Sequence, residues 1–179
     1  MEFSELLKNI NSLTGDYPPV HLWNPELCEG VSMRIDREGH WYYQDSIIGR
    51  EKLKILFSRI LKKEGECYYL VTPAEKVLVN VDLAPYKIID FEVNEMEDEI
   101  IFKTNLDYDF PLDSTHLLEM RALDGEEIPF INARNDLEAY VSRPVFYRLI
   151  ELALRQNIKD ESKLLLKSFG KQFSLGEKS

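Results

Sequence analysis

The chain has 179 residues, 44% of them apolar and 30% charged, with a net charge of −10 and two cysteines. This composition supports one medium or two small soluble folded domains, and the acidic balance excludes a broad phosphate-gripping surface for extended nucleic acid. No apolar run approaches the ~20 residues that span a bilayer, and Cys28 and Cys67 lack the spacing of a disulfide framework or a zinc knuckle.

Phe3, Leu6, Leu7 and Ile10 recur at helical spacing, which predicts an N-terminal helix ending before Gly15. Its acidic opening lacks the basic stretch of a secretory leader, so the chain reads as cytoplasmic. The segment from Pro18 to Pro25 cannot be helical and is too apolar for a free linker, so it is expected to lie extended against the unit that follows. Strands are then predicted over residues 32–36 and 40–44, with a short third at 47–48, a helix over 50–63 and a strand over 67–72. Thr72-Pro73-Ala74-Glu75 has proline at the second position of a tight turn, and Val77, Val79 and Val81 alternate as the next strand.

Further on, Ile89, Phe91 and Val93 alternate with Asp90, Glu92 and Asn94, and a turn at 95–98 leads into residues 99–103. The expectation is an antiparallel hairpin with one solvated acidic face. Nine acids and one base lie between 88 and 115, which accounts for eight of the ten excess negative charges. The second half predicts strands over 117–123, 127–132 and 137–141, a helix over 144–156 with Pro144 in its first turn, and a closing strand over 163–168.

The two halves share a pattern. Met33-Arg34-Ile35 through Ile60-Leu61 returns as Met120-Arg121-Ala122 through Ala153-Leu154, each with a glycine-centred acidic turn, an aromatic strand and an arginine opening an apolar helix. Setting Arg50 on Arg143 pairs Leu53 with Phe146, Phe57 with Ile150, Ile60 with Ala153 and Leu61 with Leu154, with Arg134-Asn135-Asp136 as an insertion in the second copy. The predicted fold is therefore α+β, two similar small units of antiparallel strands plus one helix each, preceded by an N-terminal helix. Residues 1–84 would hold that helix, the Pro-rich segment and a first β-β-β-α-β unit; residues 85–179 would hold the acidic hairpin and a second.

Motifs for common catalysis and cofactor binding are absent: there is no GxGxxG, GxxxxGK[ST], HExxH or GxSxG. His21, His40 and His116 have no ligand spacing, so neither a metal nor a cofactor is expected. Asp113-Ser114-Thr115-His116 reads as a capped turn rather than a triad. Arg50 and Arg143 both stand at a predicted helix start, where the dipole disfavours a cation unless a carboxylate or bound anion compensates. Arg34 and Arg121 follow methionines in strands. Each arginine can serve an internal ion pair, with Asp36, Glu75, Asp136 or Glu138, or an anionic ligand.

Several stretches together resemble the bacterial family catalogued as domain of unknown function 1285. They are residues 19–25, Met33-Arg34-Ile35, Trp41-Tyr42-Tyr43 leading to Ile48-Gly49-Arg50, residues 70–77, Phe102-Lys103-Thr104-Asn105, Leu137-Glu138-Ala139 and residues 143–147. Asp45 and Ile47 depart from the glycine and proline expected before Arg50. The resemblance implies two structurally similar domains, the second superficially like a pleckstrin-homology barrel and helix. It also implies a proposed interdomain pocket for a nucleotide-like ligand and a suggested signalling role without demonstrated catalysis.

The leading functional expectation is a cytoplasmic ligand-binding or sensing module with its pocket between the repeats, taking a small anionic, nucleotide-like or phosphorylated molecule. Arg34, Arg50 and Lys76 would meet anionic groups, and Trp23, Trp41 or Tyr43 a flat ring. His21, Thr72, Glu75, Arg134 and Arg143 complete the candidate binding set. The alternative is a protein-protein adaptor using a sheet edge or the acidic hairpin without a small ligand. Catalysis would rest on acid-base chemistry at Glu75 alone.

Overall fold

A computed structural model describes residues 17–94, 96 and 98–177, together with Lys8. Apart from Lys8, the helix expected at the N-terminus lies outside the described residues. The chain divides into two units, Met1–Pro85 and Tyr86–Ser179, each containing one six-stranded mixed sheet.

In the first unit the strands are β1 (Met33–Ile35), β2 (Trp41–Tyr43), β3 (Ser46–Ile47), β4 (Leu61–Glu64), β5 (Cys67–Val71) and β6 (Lys76–Val81), with helix α1 (Glu51–Arg59) between β3 and β4. Sheet order is β3-β2-β1-β6-β5-β4. Pleat alternation buries Met33, Ile35 and Trp41 while Arg34 stays outside. Phe57 reaches back from α1 to stack on Trp41 with ring centroids 6.0 Å apart.

The second unit contains β7 (Tyr86–Asn94), β8 (Glu99–Thr104), β9 (Asp109–Pro111), β10 (Leu118–Leu123), β11 (Glu126–Arg134) and β12 (Leu137–Val141), followed by α2 (Arg143–Gln156) and a hairpin of β13 (Lys163–Ser168) and β14 (Lys171–Glu177). Its sheet order is β10-β11-β12-β7-β8-β9. Val145, Leu149, Leu152 and Ala153 form the buried stripe of α2. The terminal hairpin is fastened at the end of β13, beside its turn. Gln156 exchanges two hydrogen bonds with the Lys167 backbone, at 2.7 and 2.9 Å, and the Ser168 hydroxyl accepts from Ile100 N at 3.0 Å.

Read from the other side, the second sheet runs β9-β8-β7-β12-β11-β10, which is the first sheet's order strand for strand. Each unit is two three-stranded meanders joined by one parallel pair: β1 beside β6, with Met33 opposite Val79, and β7 beside β12, with Tyr86 opposite Ala139. The units are thus similar, but in a different register from the one read in the sequence. Topology sets β1 on β7 and β6 on β12, whereas the Met-Arg pattern sets β1 on β10, which is an edge strand. The helices are not equivalent either, since α1 joins the two meanders and α2 follows the last strand of its sheet. Arg50 and Arg143 therefore occupy unrelated places, and Asn135-Asp136 is a hairpin turn between β11 and β12 rather than an insertion.

Several element ends also differ. Helix α1 stops at Arg59, because Gly65 at φ 60° and Glu66 make a two-residue turn that pairs Glu64 with Cys67 and draws Leu61–Glu64 into a strand. The pairing of Ile60 and Leu61 with Ala153 and Leu154 is lost with it. The apolar Pro-rich segment is not wholly extended: Val20–Leu22 close one 3₁₀ turn, and Val20 is buried. In β7 a bulge between Ile88 and Asp90 shifts the pleat, so Ile88 and Phe91 point inward and Ile89 is left half exposed. Strands β9 and β14 have no counterpart in the sequence reading.

Candidate functional site

In the first unit, a cavity of about 240 Å³ is lined by Tyr43, Ser46, Ile47, Ile48, Gly49, Arg50 and Leu53. The segment from edge strand β3 into α1 builds it. Gln44 and Asp45 turn β2 into β3 with φ of 43° and 63°, and Ile48 N donates to Trp41 O at 2.7 Å, which holds the approach to the helix beside β2. Arg50 is extended and caps α1 through its backbone, its carbonyl accepting from Leu53 and Lys54 N at 3.0 and 3.2 Å. Its guanidinium is exposed at the rim and has no ion-pair or hydrogen-bond partner among the described residues. Glu51 answers the helix dipole in the first turn and is paired with Lys54 at 2.5 Å.

Of the sequence candidates, only Tyr43 and Arg50 line this cleft. Trp41 lies in the core beneath the sheet, fully buried, and its indole Nε1 has no hydrogen-bond partner among the described residues. Its place against Phe57 makes it packing rather than a stacking platform. Arg34 is held by Asp82, at 2.5 and 3.2 Å, beside the Tyr42 ring. That hydrogen-bonded carboxylate raises the arginine's pKa.

A second group gathers around Glu64. Its carboxylate receives Lys62 and Lys76, each at 2.8 Å, and the hydrogen bond from Lys62, then that from Lys76, holds its pKa below the usual range. Lys62 also donates to the Trp23 carbonyl at 2.9 Å, and Lys76 lies over the Tyr69 ring at 4.9 Å. Lys76 is thus engaged within the protein. Thr72 is buried and closes the β5–β6 turn: its Oγ1 accepts from Ala74 and Glu75 N, and its amide donates to Glu75 O at 2.9 Å. Glu75 is half-buried in that turn, and His21 is exposed on the 3₁₀ turn.

Arg134 and Arg143 belong to the second unit. Arg134 donates Nε to Tyr86 OH at 3.0 Å and lies over the Tyr86 and Tyr108 rings. Arg143 pairs with Glu126 at 3.6 Å and donates to Tyr147 OH at 3.4 Å. Arg121 forks onto Glu138 at 2.5 and 3.1 Å, also meets Glu119, and covers the Phe130 ring. Among the described residues of the acidic hairpin three carboxylates have partners: Asp90 meets Arg148 at 2.6 Å, Asp98 meets Lys167 at 2.8 Å, and Glu92 meets Lys103.

Sequence reasoning missed Ser46, Ile47, Ile48, Gly49 and Leu53 as lining residues. Their one signal was an apolar pair directly before the glycine and arginine that open the helix. Asp82 was missed as the partner of Arg34, because the parallel neighbour of β1 lies 46 positions downstream at Arg34↔Asn80. Among the described residues, no group of three or more His, Cys, Asp or Glu side chains could hold a metal ion, and no helix is long and apolar enough to cross a membrane.

These features define an α+β protein of two similar sheet-and-helix units. Residues 18–84 match the domain of unknown function DUF1285, N-terminal domain, and residues 85–175 match the protein of unknown function DUF1285, C-terminal domain. The chain belongs to the DUF1285 family, as its motifs suggested. It is similar to the crystal structure of a DUF1285 family protein from Silicibacter pomeroyi DSS-3, with 35% identity, coverage of 96% of this chain and 94% of that one, and a TM-score of 0.82. It is also similar to a DUF1285 family protein from Shewanella baltica OS155, at 25% identity, 69% and 94% coverage and a TM-score of 0.57. No curated protein matches the chain.

Proposed function

We propose that this protein is a cytoplasmic ligand-binding or sensing module for a small anionic molecule, a phosphorylated or nucleotide-like compound among them, with a role in signalling. The observation that carries the reading is the Arg50 guanidinium, partnerless among the described residues, at the rim of the cleft lined by Tyr43, Ile48 and Leu53. An exposed cation beside an apolar recess suits a ligand with one charged end. By contrast, Arg34, Arg121 and Arg143 already have carboxylate partners.

The adaptor alternative draws its support from edge strand β3, where Ile47 is 60% exposed. The acidic hairpin supports it less, since Asp90, Glu92 and Asp98 are spoken for internally.

A thermal-shift screen of the whole chain against nucleotides and phosphorylated metabolites at millimolar concentration tests the proposal. A ligand present at 100 times its Kd adds ~2.7 kcal/mol of stability, so an upward shift that disappears in Arg50→Gln is the expected result. No stabilisation by any of the compounds would remove the reading.

A further inference from the structure

The first-unit cleft carries more than a preference for negative charge. Its volume of about 240 Å³ is the room of about eight waters, below the ~300–1,000 Å³ usual for sites that enclose a drug-sized ligand. Its walls are Tyr43, Ile47, Ile48 and Leu53, with Ser46 as the one aliphatic hydroxyl and Arg50 as the one charged side chain among the lining residues. No lining Asn, Asp, Glu or Gln is present to read the hydrogen-bonding edge of a nucleobase. The polar rim offers one guanidinium, which forks onto a carboxylate or phosphate.

From this we infer that the cleft selects a small amphipathic anion: a branched aliphatic or single-ring body seated against Tyr43, Ile48 and Leu53, with its carboxylate or phosphate on Arg50. The inference rests on the ligand-binding reading above and narrows its ligand class. A nucleotide places a polar base and a hydroxylated ribose where this cleft offers apolar walls, and it loses the hydration of those groups without replacement partners. A short apolar body loses nothing of that kind, and its charge stays at the open rim where Arg50 is exposed. The same chemistry is available from a free metabolite or from a chain end with an apolar last residue.

The test is isothermal titration of the whole protein with 4-methylpentanoate, phenyl phosphate, neutral 4-methylpentanamide, AMP and an acetylated tetrapeptide ending in a free leucine carboxylate. Expected are binding of the two apolar anions, a loss of about tenfold or more in Arg50→Gln and for the amide, as for a lost charge-assisted hydrogen bond, and no change in Lys171→Gln. Tighter binding of the tetrapeptide than of 4-methylpentanoate identifies a chain terminus as the source; weaker binding identifies a free molecule. If AMP binds as tightly as the apolar anions through Arg50, the narrowing fails while the ligand-binding reading stands. If AMP binds equally well in Arg50→Gln, the cleft is not the site and this inference falls. Silence from all five probes at 10 mM overturns both. Leu53→Ala gives a second handle on the apolar wall, and unchanged affinity for 4-methylpentanoate in that variant contradicts the seating described.

Discussion

Arg34 closes a two-point fork on Asp82, with Nε 3.2 Å from Oδ1 and Nη2 2.5 Å from Oδ2. The fork uses the charge that the sequence offered to a ligand. Both side chains remain partly exposed, so the pair contributes little to stability and is screened by salt. Arg34→Gln should accordingly leave the urea midpoint almost unmoved and any ligand-induced thermal shift intact, whereas Arg50→Gln should remove that shift. Loss of the ligand response in Arg34→Gln alone would return Arg34 to the binding site.

The Ser168 hydroxyl is the acceptor for the Ile100 amide, and the residue is fully buried. Removing it strands a buried N–H between β8 and β13, a cost of about 1–3 kcal/mol. Ser168→Ala should lower the unfolding free energy measured in urea by that amount, while Ser168→Thr, which keeps the hydroxyl, should recover part of it. Equal stability of Ser168→Ala and the parent would show that the hydrogen bond does not matter to the terminal hairpin.

Asp45 occupies the second position of the two-residue β2–β3 turn at φ 63°, in the left-handed region. The family pattern leads one to expect glycine there, and the backbone explains why. Left-handed backbone costs an ordinary residue about 1–2 kcal/mol, least for Asp and Asn. Asp45→Val, β-branched, should therefore destabilise by about 1–2 kcal/mol, whereas Asp45→Gly should keep or slightly raise stability, its relief offset by greater freedom in the unfolded chain. Because this turn aims β3 at the cleft, Asp45→Val should also weaken ligand binding. Thermal melts of the two variants ranked in the opposite order would refute the turn assignment.

What the residues disclosed was local. Period-two alternation placed β6, but the helical stripe read through Phe146, Leu149, Ile150, Ala153 and Leu154 caught only Leu149 and Ala153 of the buried face of α2, which also takes Val145 and Leu152 and leaves Leu154 exposed. The repeat was visible too, but its register was not, because Met33-Arg34 and Met120-Arg121 look alike locally. Only the parallel pairs β1/β6 and β7/β12 reveal which strands are central. The cleft was half legible. Tyr43 and Arg50 stand out by type, while Ile47, Ile48 and Leu53 acquire meaning only once β3 is an edge strand beside α1. Trp41 was misplaced for the complementary reason: its alternation with Tyr42 puts it in the core, and a large aromatic seen in sequence does not declare its face.

Asp113 supplies the pH dependence. Its Oδ1 accepts from Thr115 N and Oγ1 at 2.8 Å each and from His116 N at 3.0 Å, with His116 Nδ1 2.9 Å away. Burial acting alone would raise its pKa, but these hydrogen bonds outweigh that and hold it at about 2, against an ordinary value of 3.8. With the folded pKa depressed, the unfolded chain binds the proton more readily in the interval between the two values. The stabilisation is therefore fully present above pH ~4 and is lost as pH falls toward 2. At neutral pH it amounts to roughly 1–2 kcal/mol, allowing for the side chain's partial exposure. Asp113→Asn should be less stable than the parent by that margin at pH 7 in urea melts, and the gap should narrow steadily between pH 4 and pH 2.5. A gap that stays constant down to pH 2.5 would mean that the carboxylate's charge does not hold this turn.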